Sequence, residues 1–427
     1  MKSRIAHYAF LLVIVITLLS GVLRFYKLDS VPIGFHRDEA FLGYNAYSLM
    51  KTGRDMSGKF FPLHLESFIY SPAGYVYFST PFLYLFGLHV FSVRMASAFF
   101  STLTVLVVYF LIQSLFAAYS HKRLFGIITS LLVALSPWSI NLARTATENS
   151  IVVFFVSLGV YCYSQFLQKR KISLIILSFA CFFVTILTYQ SPRAFIPLFL
   201  PLMLLTLPRT LGKKRELGWS VGLYALFILV PLITILSSPN LSLRIRTVSL
   251  FATEDTQLKL DALIREDGVS AVPYIFTRMH HNKIVGYGLV FLQNYFSHFS
   301  YSFLFTDAGL PDRYRVPFTG LMYIVEIPFL FLGLWLLLSR FRTIGIFFLG
   351  WILVSPIGSA LAFDDVPNLQ RTLLILPALP ICVAFGITEV ISLRRKIIPA
   401  VVIVAAAILF FAQFFFYLHE YYIHVRS

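Results

Sequence analysis

The stretch YAFLLVIVITLLSGVL at residues 8–23 carries no charged side chain and is followed directly by Arg24. The hydrocarbon core of a membrane is about 30 Å thick, and a helix needs roughly 20 residues to cross it. Lys2 and Arg4 precede the stretch, and no small-x-small cleavage site follows it. It therefore predicts a retained first transmembrane helix rather than a cleaved signal peptide.

Similar apolar runs recur along the whole chain. They predict further spans at residues 95–117, 124–142, 150–168, 172–189, 195–208, 217–236, 318–339, 343–362, 372–392 and 397–417. The composition agrees: of 427 residues, 58% are hydrophobic and only 13% are charged, whereas soluble domains carry roughly 25% charged residues. We expect an all-α polytopic membrane protein with eleven transmembrane helices, forming a single integral domain over residues 1–427.

The basic residues form short clusters between the apolar runs. A net charge of +16 would suit a nucleic-acid binder, but clusters placed in short loops are typical of the positive-inside rule. With a cytoplasmic N-terminus, the inner segments hold 16 basic residues and two acids, and the outer segments hold 19 basic residues and 17 acids. The pattern predicts a multi-pass protein of the cell membrane (inner or plasma membrane) and no nucleic-acid partner.

Two long outer loops follow from this topology, at residues 24–94 and 237–317. The first contains an apolar, aromatic segment at 72–88. If this segment crossed the membrane, every later cluster of Lys and Arg would face outward. We therefore expect it to lie at the outer interface as a membrane-lying or re-entrant helix. Short outer turns are expected at 143–149, 190–194 and 363–371.

Two adjacent acids, Asp38 and Glu39, open a predicted helix that runs to about Met50 and ends at Gly53. Acidic side chains in a first helical turn are favoured by the helix dipole, which is a structural explanation for both. An acid pair close to the membrane boundary also suits a general base. The residues alone leave both interpretations open.

Other polar residues collect on the same side. Arg144 and Glu148 lie four apart, which predicts either a helical ion pair or a binding role. Arg371 opens a span, where it either anchors the helix among lipid headgroups or binds a phosphate with its planar donor fork. Lys283 and His298 lie in a donor-rich part of the second outer loop. The sequence requires no cofactor, and it leaves the need for a divalent metal open because no set of metal ligands stands out.

Several blocks together resemble the GT-C-type glycosyltransferases that use a lipid carrier, in particular the short bacterial members of the protein O-mannosyltransferase and aminoarabinose-transferase family. The likeness spans nearly the whole chain in order. It rests on HRDEAFLGYNAYSLMKTGRD (36–55) with FPL (61–63), SPAGYVYFSTPFLYLFG (71–87), VRMASAFFSTLTVLVVYFL (93–111), SPWSINLARTATENS (136–150), NYFSHFSYSFLF (294–305), GLMYIVEIPFLFLGL (320–334) and VPNLQRTLLILPALP (366–380).

The resemblance implies a GT-C fold and the transfer of a sugar from a polyprenyl-phosphate donor to an extracytoplasmic acceptor, with inversion. The acceptor class includes proteins, glycolipids and cell-wall polymers. The family position of the base matches Asp38, with Glu39 beside it, and that of a phosphate-side arginine matches Arg371. Further substrate-binding residues are expected to be Arg37, Arg54, Tyr70, Arg144, Glu148, Lys283 and His298.

One position departs from the family pattern. Relatives often carry Lys before the Pro that opens the interfacial segment, whereas this chain has Ser71. Lys283 or Arg54 would then take its place, or the donor sugar differs. The alternative to a transferase is a multi-span secondary transporter or lipid-linked sugar translocase, but transporters often show paired halves with polar residues near the middle of the membrane. This sequence shows no such internal repeat.

Overall fold

Helices make up most of the computed structural model, which describes residues 2–66, 70–210, 218, 220–225, 227–229, 249–252, 254–270, 272–393 and 397–425. The labelled helices are α1 (Lys2–Phe25), α2 (Arg37–Thr52), α3 (Gly74–Phe86), α4 (Val90–Leu115), α5 (Lys122–Leu135), α6 (Pro137–Ala143), α7 (Asn149–Lys169), α8 (Ile172–Thr188), α9 (Ser191–Thr210), α10 (Glu254–Val269), α11 (Tyr274–His280), α12 (Lys283–Ser297), α13 (Ile327–Arg340), α14 (Arg342–Val354), α15 (Ile357–Ala360), α16 (Ala378–Ile391) and α17 (Ile397–His419). Two short antiparallel strands, β1 (His64–Glu66) and β2 (Tyr70–Pro72), pair with His64 opposite Pro72.

The predicted all-helical polytopic class is confirmed, but the count of eleven spans is not. Within the described residues, seven segments are long and apolar enough to cross a membrane, and an eighth results if α5 and α6 are taken as one bent span. The seven are Ala6–Phe25, Val90–Leu115, Asn149–Lys169, Ser191–Pro208, Arg342–Ala360, Leu373–Ile391 and Ile397–His424. The span expected at 217–236 lies largely outside the described residues.

The run 124–142, expected as one span, is bent at Ser136. The axes of α5 and α6 differ by 52° there, because Pro137 has no N–H to donate and begins a new helix. The carbonyl oxygens freed at the end of α5 find other donors: Arg24 Nη1 donates to Ala134 O at 3.0 Å, and the Tyr323 hydroxyl donates to Leu135 O at 2.8 Å.

The run expected at 318–339 also differs from its prediction, since α13 begins only at Ile327. Ahead of it lies a 3₁₀ turn over Ile324–Glu326. The Tyr323 N–H donates to the buried Glu326 side chain at 3.1 Å, which caps this turn. A capping side chain that satisfies the first backbone donors defines a helix start, so the apolar residues before it are not part of the helix.

The first long loop is held by α2 and α3. At the start of α2, His36 Nδ1 accepts from the Asp38 N–H at 3.2 Å, and Glu39 Oε2 accepts from the His36 N–H at 3.2 Å. Gly53 ends α2 with a φ of 69°, a left-handed conformation that glycine adopts without strain. The 13 residues of α3 span about 20 Å, less than the thickness of the hydrocarbon core.

Helices α13 and α16 cross at two glycines. A Cβ atom on Gly333 would lie 1.8 Å from Cys382 O, and one on Gly386 would lie 2.3 Å from Phe329 O. Both obstacles are backbone atoms, which cannot rotate out of the way. This crossing therefore requires the absence of a side chain at both positions.

We expect Gly333→Ala to destabilise the protein by about 1–3 kcal/mol, the usual cost of overpacking a well-packed contact. Gly288→Ala on α12 is the matched control, because no atom of the described residues lies within 4 Å of the Cβ position there. Thermal unfolding in detergent measures the difference. Equal melting temperatures for the two variants would show that the helix crossing can relax.

A buried histidine, His298, holds the segment that precedes α16. Its Nε2 accepts from the Asn368 N–H at 3.2 Å and lies 2.8 Å from Ser359 Oγ. Because Nε2 is an acceptor, Nδ1 carries the proton and donates to Asn294 O at 2.8 Å. Burial lowers the pKa of His298 to about 4. The ring is therefore neutral and bridges three segments of the chain.

This burial predicts a loss of stability in mild acid. The unfolded chain binds a proton at His298 near pH 6.5, whereas the folded chain binds it only near pH 4. The contribution is fully present above pH 6.5 and falls by up to about 3 kcal/mol as the pH approaches 4. We expect the melting temperature of His298→Gln to depend less on pH between 4 and 6.5 than that of the wild type or the exposed control His280→Gln. An unchanged pH dependence in His298→Gln would refute the assignment.

Candidate active site

A cavity of about 690 Å³ lies between the start of α2, the turn before α7, the start of α9 and the segment from 358 to 371. Its walls carry both signs of charge. Four arginines and four acids line it: Arg37, Arg193, Arg313, Arg371, Asp38, Glu148, Asp364 and Asp365. Residues separated by more than 300 positions in sequence thus share one polar chamber.

Asp38 lies in the wall of the cavity, at the first turn of α2. Its Oδ2 accepts from Arg313 Nη2 at 3.2 Å and lies 3.3 Å from His36 Nδ1. Its Oδ1 is buried, lies 3.9 Å from Arg37 Nε and has no hydrogen-bond partner within the described part of the chain. A buried acceptor without a hydrogen-bond donor is costly, so this oxygen retains the capacity to accept a hydrogen bond.

Arg313 was not expected from the sequence, although it contacts Asp38. It lies within a 3₁₀ turn over Asp312–Tyr314, and its guanidinium lies 4.8 Å from the ring centre of Tyr314. The aromatic face and the Asp38 carboxylate together fix the position of this cation. No periodicity connects residue 313 with residue 38, so only the fold could reveal the pair.

Arg371 lies in the cavity, and its guanidinium is held by Asp364. Its Nη1 donates to Asp364 O at 2.8 Å, and its Nη2 donates to Asp364 Oδ1 at 3.0 Å. Asn368 Oδ1 accepts from the Arg371 N–H at 2.8 Å, and Ser191 Oγ donates to Arg371 O at 2.7 Å. Hydrogen bonds therefore fix both the backbone and the guanidinium group of Arg371.

Arg193 is a second cavity arginine that the sequence reading missed. It belongs to the first turn of α9, and its Nη2 lies 2.6 Å from His64 Nε2. Burial, assisted by the charge of Arg193, lowers the pKa of His64 to about 4. The neutral imidazole can therefore accept from the guanidinium and hold it. The position of Arg193 in the expected outer turn 190–194 was the one signal that could have found it.

Glu39, paired with Asp38 in the sequence, is not among the residues that line this cavity. Its carboxylate is buried and forms a two-pronged ion pair with Arg94, with Nε–Oε1 and Nη2–Oε2 distances of 2.9 Å each. Oε1 also accepts from the Ala146 N–H at 2.7 Å. The structure thus favours a positioning role for Glu39, and only Asp38 of the adjacent pair reaches the chamber.

Arg144 and Glu148 do not face each other on one helix, contrary to the i,i+4 expectation. Helix α6 ends at Ala143 and α7 begins at Asn149, so the two residues lie in the turn between helices. Glu148 lines the cavity. The buried Arg144 guanidinium donates to backbone carbonyls at the end of α1 and just after it, those of Leu23, Arg24, Lys27 and Val31.

Of the remaining predicted residues, only some line the chamber. Arg37 lines it, whereas Arg54 donates to Gly58 O in a hairpin away from the cavity lining. Lys283 lines a separate apolar cavity of about 410 Å³, which shares Phe251 and Leu361 with the polar one. His298 is not among the residues that line the cavity, but its Nε2 accepts from the N–H of Asn368, which does line it. Tyr70 belongs to β2, and its side chain lies outside the described part of the chain.

Comparisons with known proteins concern the family and the fold. Residues 71–235, less than half of the chain, match the family model described as dolichyl-phosphate-mannose-protein mannosyltransferase. No curated protein sequence matches the chain significantly.

Solved membrane enzymes share the fold. ArnT from Cupriavidus metallidurans in the apo state matches with a TM-score of 0.52 and 15% identity, over 90% of this chain and 60% of that one. ArnT bound to undecaprenyl phosphate matches with 0.53 and 14%, over 97% and 71%.

AglB, the oligosaccharyltransferase of Archaeoglobus fulgidus, in complex with an inhibitory peptide and a dolichol-phosphate, matches with a TM-score of 0.54 and 13% identity. The match covers 96% of this chain and 56% of AglB. The chain thus spans less than two thirds of the length of AglB and of apo ArnT. The chain therefore shares its fold with these proteins and, over residues 71–235, is similar to the dolichyl-phosphate-mannose-protein mannosyltransferase family.

Proposed function

We propose that the protein transfers a sugar from a polyprenyl-phosphate donor to an acceptor hydroxyl, with Asp38 as the base. The observation that carries this proposal is Asp38 Oδ1, which has no hydrogen-bond partner among the described residues and lies 3.9 Å from Arg37 Nε, in the wall of a chamber that also presents the oriented Arg193 and Arg371. A base on one side and a set of cations on the other are the two groups that such a transfer needs.

In the proposed reaction, the acceptor oxygen attacks the anomeric carbon while the bond from that carbon to the phosphate oxygen breaks. The acceptor proton passes to Asp38 Oδ1, and the bonding electrons leave with the lipid phosphate. Attack from the side opposite the phosphate inverts the anomeric centre. Charge accumulates on the departing phosphate, so donors placed around it stabilise the transition state more than the ground state.

Arg371 and Arg193 are the proposed phosphate contacts. Each is oriented by another group, Asp364 and His64 respectively, so little conformational entropy is lost when an anion binds. Arg313 contacts the proposed base directly and is assigned to orient the Asp38 carboxylate on the acceptor side, because inversion requires the acceptor and the departing phosphate to lie on opposite faces of the anomeric carbon.

A donor with a polyprenyl tail also needs an apolar path next to the polar chamber. The apolar cavity that contains Lys283 adjoins the chamber through Phe251 and Leu361. We assign the first part of the tail to this path, with Lys283 near the phosphate in place of the lysine that relatives carry at the position of Ser71. ArnT bound to undecaprenyl phosphate and AglB with a dolichol-phosphate support a lipid phosphate as the donor class.

The location of the site is part of the same proposal. The distribution of Lys and Arg favours a cytoplasmic N-terminus, which puts the chamber on the extracytoplasmic side of the cell membrane. A lipid-linked donor keeps its tail in the bilayer, so the sugar is transferred at the membrane surface to a protein, glycolipid or cell-wall acceptor.

We expect Asp38→Asn to lower the rate of sugar transfer by about 10²–10⁴-fold, the usual contribution of a general base. The assay is turnover of a radiolabelled lipid-linked sugar by purified protein in detergent. Asp312→Asn is the matched control, because its carboxylate is 76% exposed and pairs with Arg315 rather than lining the cavity. Transfer at the wild-type rate by Asp38→Asn would refute the base assignment, and substrate flux across liposomes without a covalent product would favour a transporter.

We expect Arg371→Ala to weaken donor binding by about 10–100-fold, as expected for the loss of a hydrogen bond to a charged group. Direct binding of a polyprenyl phosphate to the detergent-solubilised protein measures this effect. Arg315→Ala is the control, since Arg315 forms ion pairs with Asp307 and Asp312 and does not line the cavity. An unchanged donor affinity in Arg371→Ala would contradict the phosphate role.

A further inference from the structure

A group of three metal-capable side chains lies at the end of α17, apart from the polar chamber. They are His419, Glu420 and His424. A single π-helical turn over Glu420–His424 follows the helix. In this turn, residues five apart come together, so the rings of His419 and His424 lie with their centres 5.2 Å apart. The α-helical register would not bring residues with this spacing to the same side.

The three side chains present their ligand atoms to one point. The two histidine nitrogens and one carboxylate oxygen all lie within 4.8 Å of one another, and His424 Nε2 lies 3.9 Å from Glu420 Oε1. Bonds of about 2.0–2.2 Å to a central ion require ligand atoms slightly closer than this. Both histidines are exposed, so rotation of their side chains closes the gap without moving the backbone.

Glu420 differs from its neighbours because its side chain is only 10% exposed. A buried carboxylate is costly unless a cation or donors compensate for it. Its position is fixed, since the next residue, Tyr421, is fully buried and its ring centre lies 5.5 Å from the guanidinium carbon of Arg144. The turn therefore offers one fixed anionic ligand and two adjustable imidazoles.

We propose that His419, Glu420 and His424 bind one Zn²⁺ ion. Two imidazoles and one carboxylate are a known zinc ligand set that leaves the fourth tetrahedral position to water. Bound zinc would cross-link the end of α17 to the π turn. Because Tyr421 packs against Arg144, which caps the end of α1, the ion would also stabilise the contact between the last helix and the first.

The test uses the full-length protein without a polyhistidine tag, purified in detergent, freed of metal with a chelator and titrated with Zn²⁺ by calorimetry. We expect one ion per chain. His419→Gln and His424→Gln should each lower the affinity by at least the roughly 10–100-fold that even outer-shell changes cost at zinc sites. Both positions are exposed, so these variants should fold normally.

The matched control is His281→Gln, which removes a histidine that also lies close to an acid, with His281 Nε2 3.3 Å from Asp267 Oδ2. It should bind zinc as the wild type does. Co²⁺ gives an independent reading, since a tetrahedral site with two imidazoles produces a visible absorption band that both glutamine variants should lose. Absence of binding, equal binding by the variants, or loss of binding in the control would each overturn the proposal.

Discussion

The ion pair between Glu39 and Arg94 is the interaction on which the geometry of the candidate site depends. Both side chains are fully or nearly fully buried, and they meet through two parallel hydrogen bonds of 2.9 Å. Glu39 also accepts from the Ala146 N–H, two residues before Glu148, while Arg94 donates to the carbonyls of Leu28, Pro32 and Gly34. One pair thus joins α2, α4, the turn before α7 and the chain that follows α1. Asp38 is next to Glu39 in sequence, so its position in the cavity follows from this junction.

Buried ion pairs are weak evidence of stability, because the cost of removing two charges from water nearly offsets their attraction. The pair instead fixes geometry, because the planar guanidinium of Arg94 donates two parallel hydrogen bonds to the Glu39 carboxylate only when the two groups are aligned. Two other fully buried arginines act in a similar way: Arg24 donates to carbonyls at the end of α5, and Arg144 donates to carbonyls at the end of α1. Helix ends leave backbone carbonyls without partners, and these arginines supply the donors where water is excluded.

The sequence predicted the features that depend on local chemistry. The start and end of α2 follow from His36, Glu39 and Gly53, and the position of Asp38 in its first turn follows with them. Of the two interpretations of Arg144 and Glu148, the helical ion pair is not found, because the residues lie in the turn between two helices and Arg144 caps another helix. Arg193 and Arg313 could not be predicted, because their partners His64 and Asp38 are brought near only by the packing of distant segments. A net charge cannot show such pairings, since it counts charges without their positions.

Four arginines and four acids line the chamber, so its formal charges balance. This balance affects how the chamber could hold an anion. Arg371 uses two of the five N–H groups of a guanidinium on Asp364, one on the side chain and one on the backbone. Donors therefore remain for a phosphate without loss of the contacts that orient the arginine. Unpaired arginines in the same place would be costly to desolvate and free to move. Pairing Arg193 and Arg371 each with a fixed acceptor keeps them oriented, so the proposed phosphate would add acceptors to donors that are already aligned.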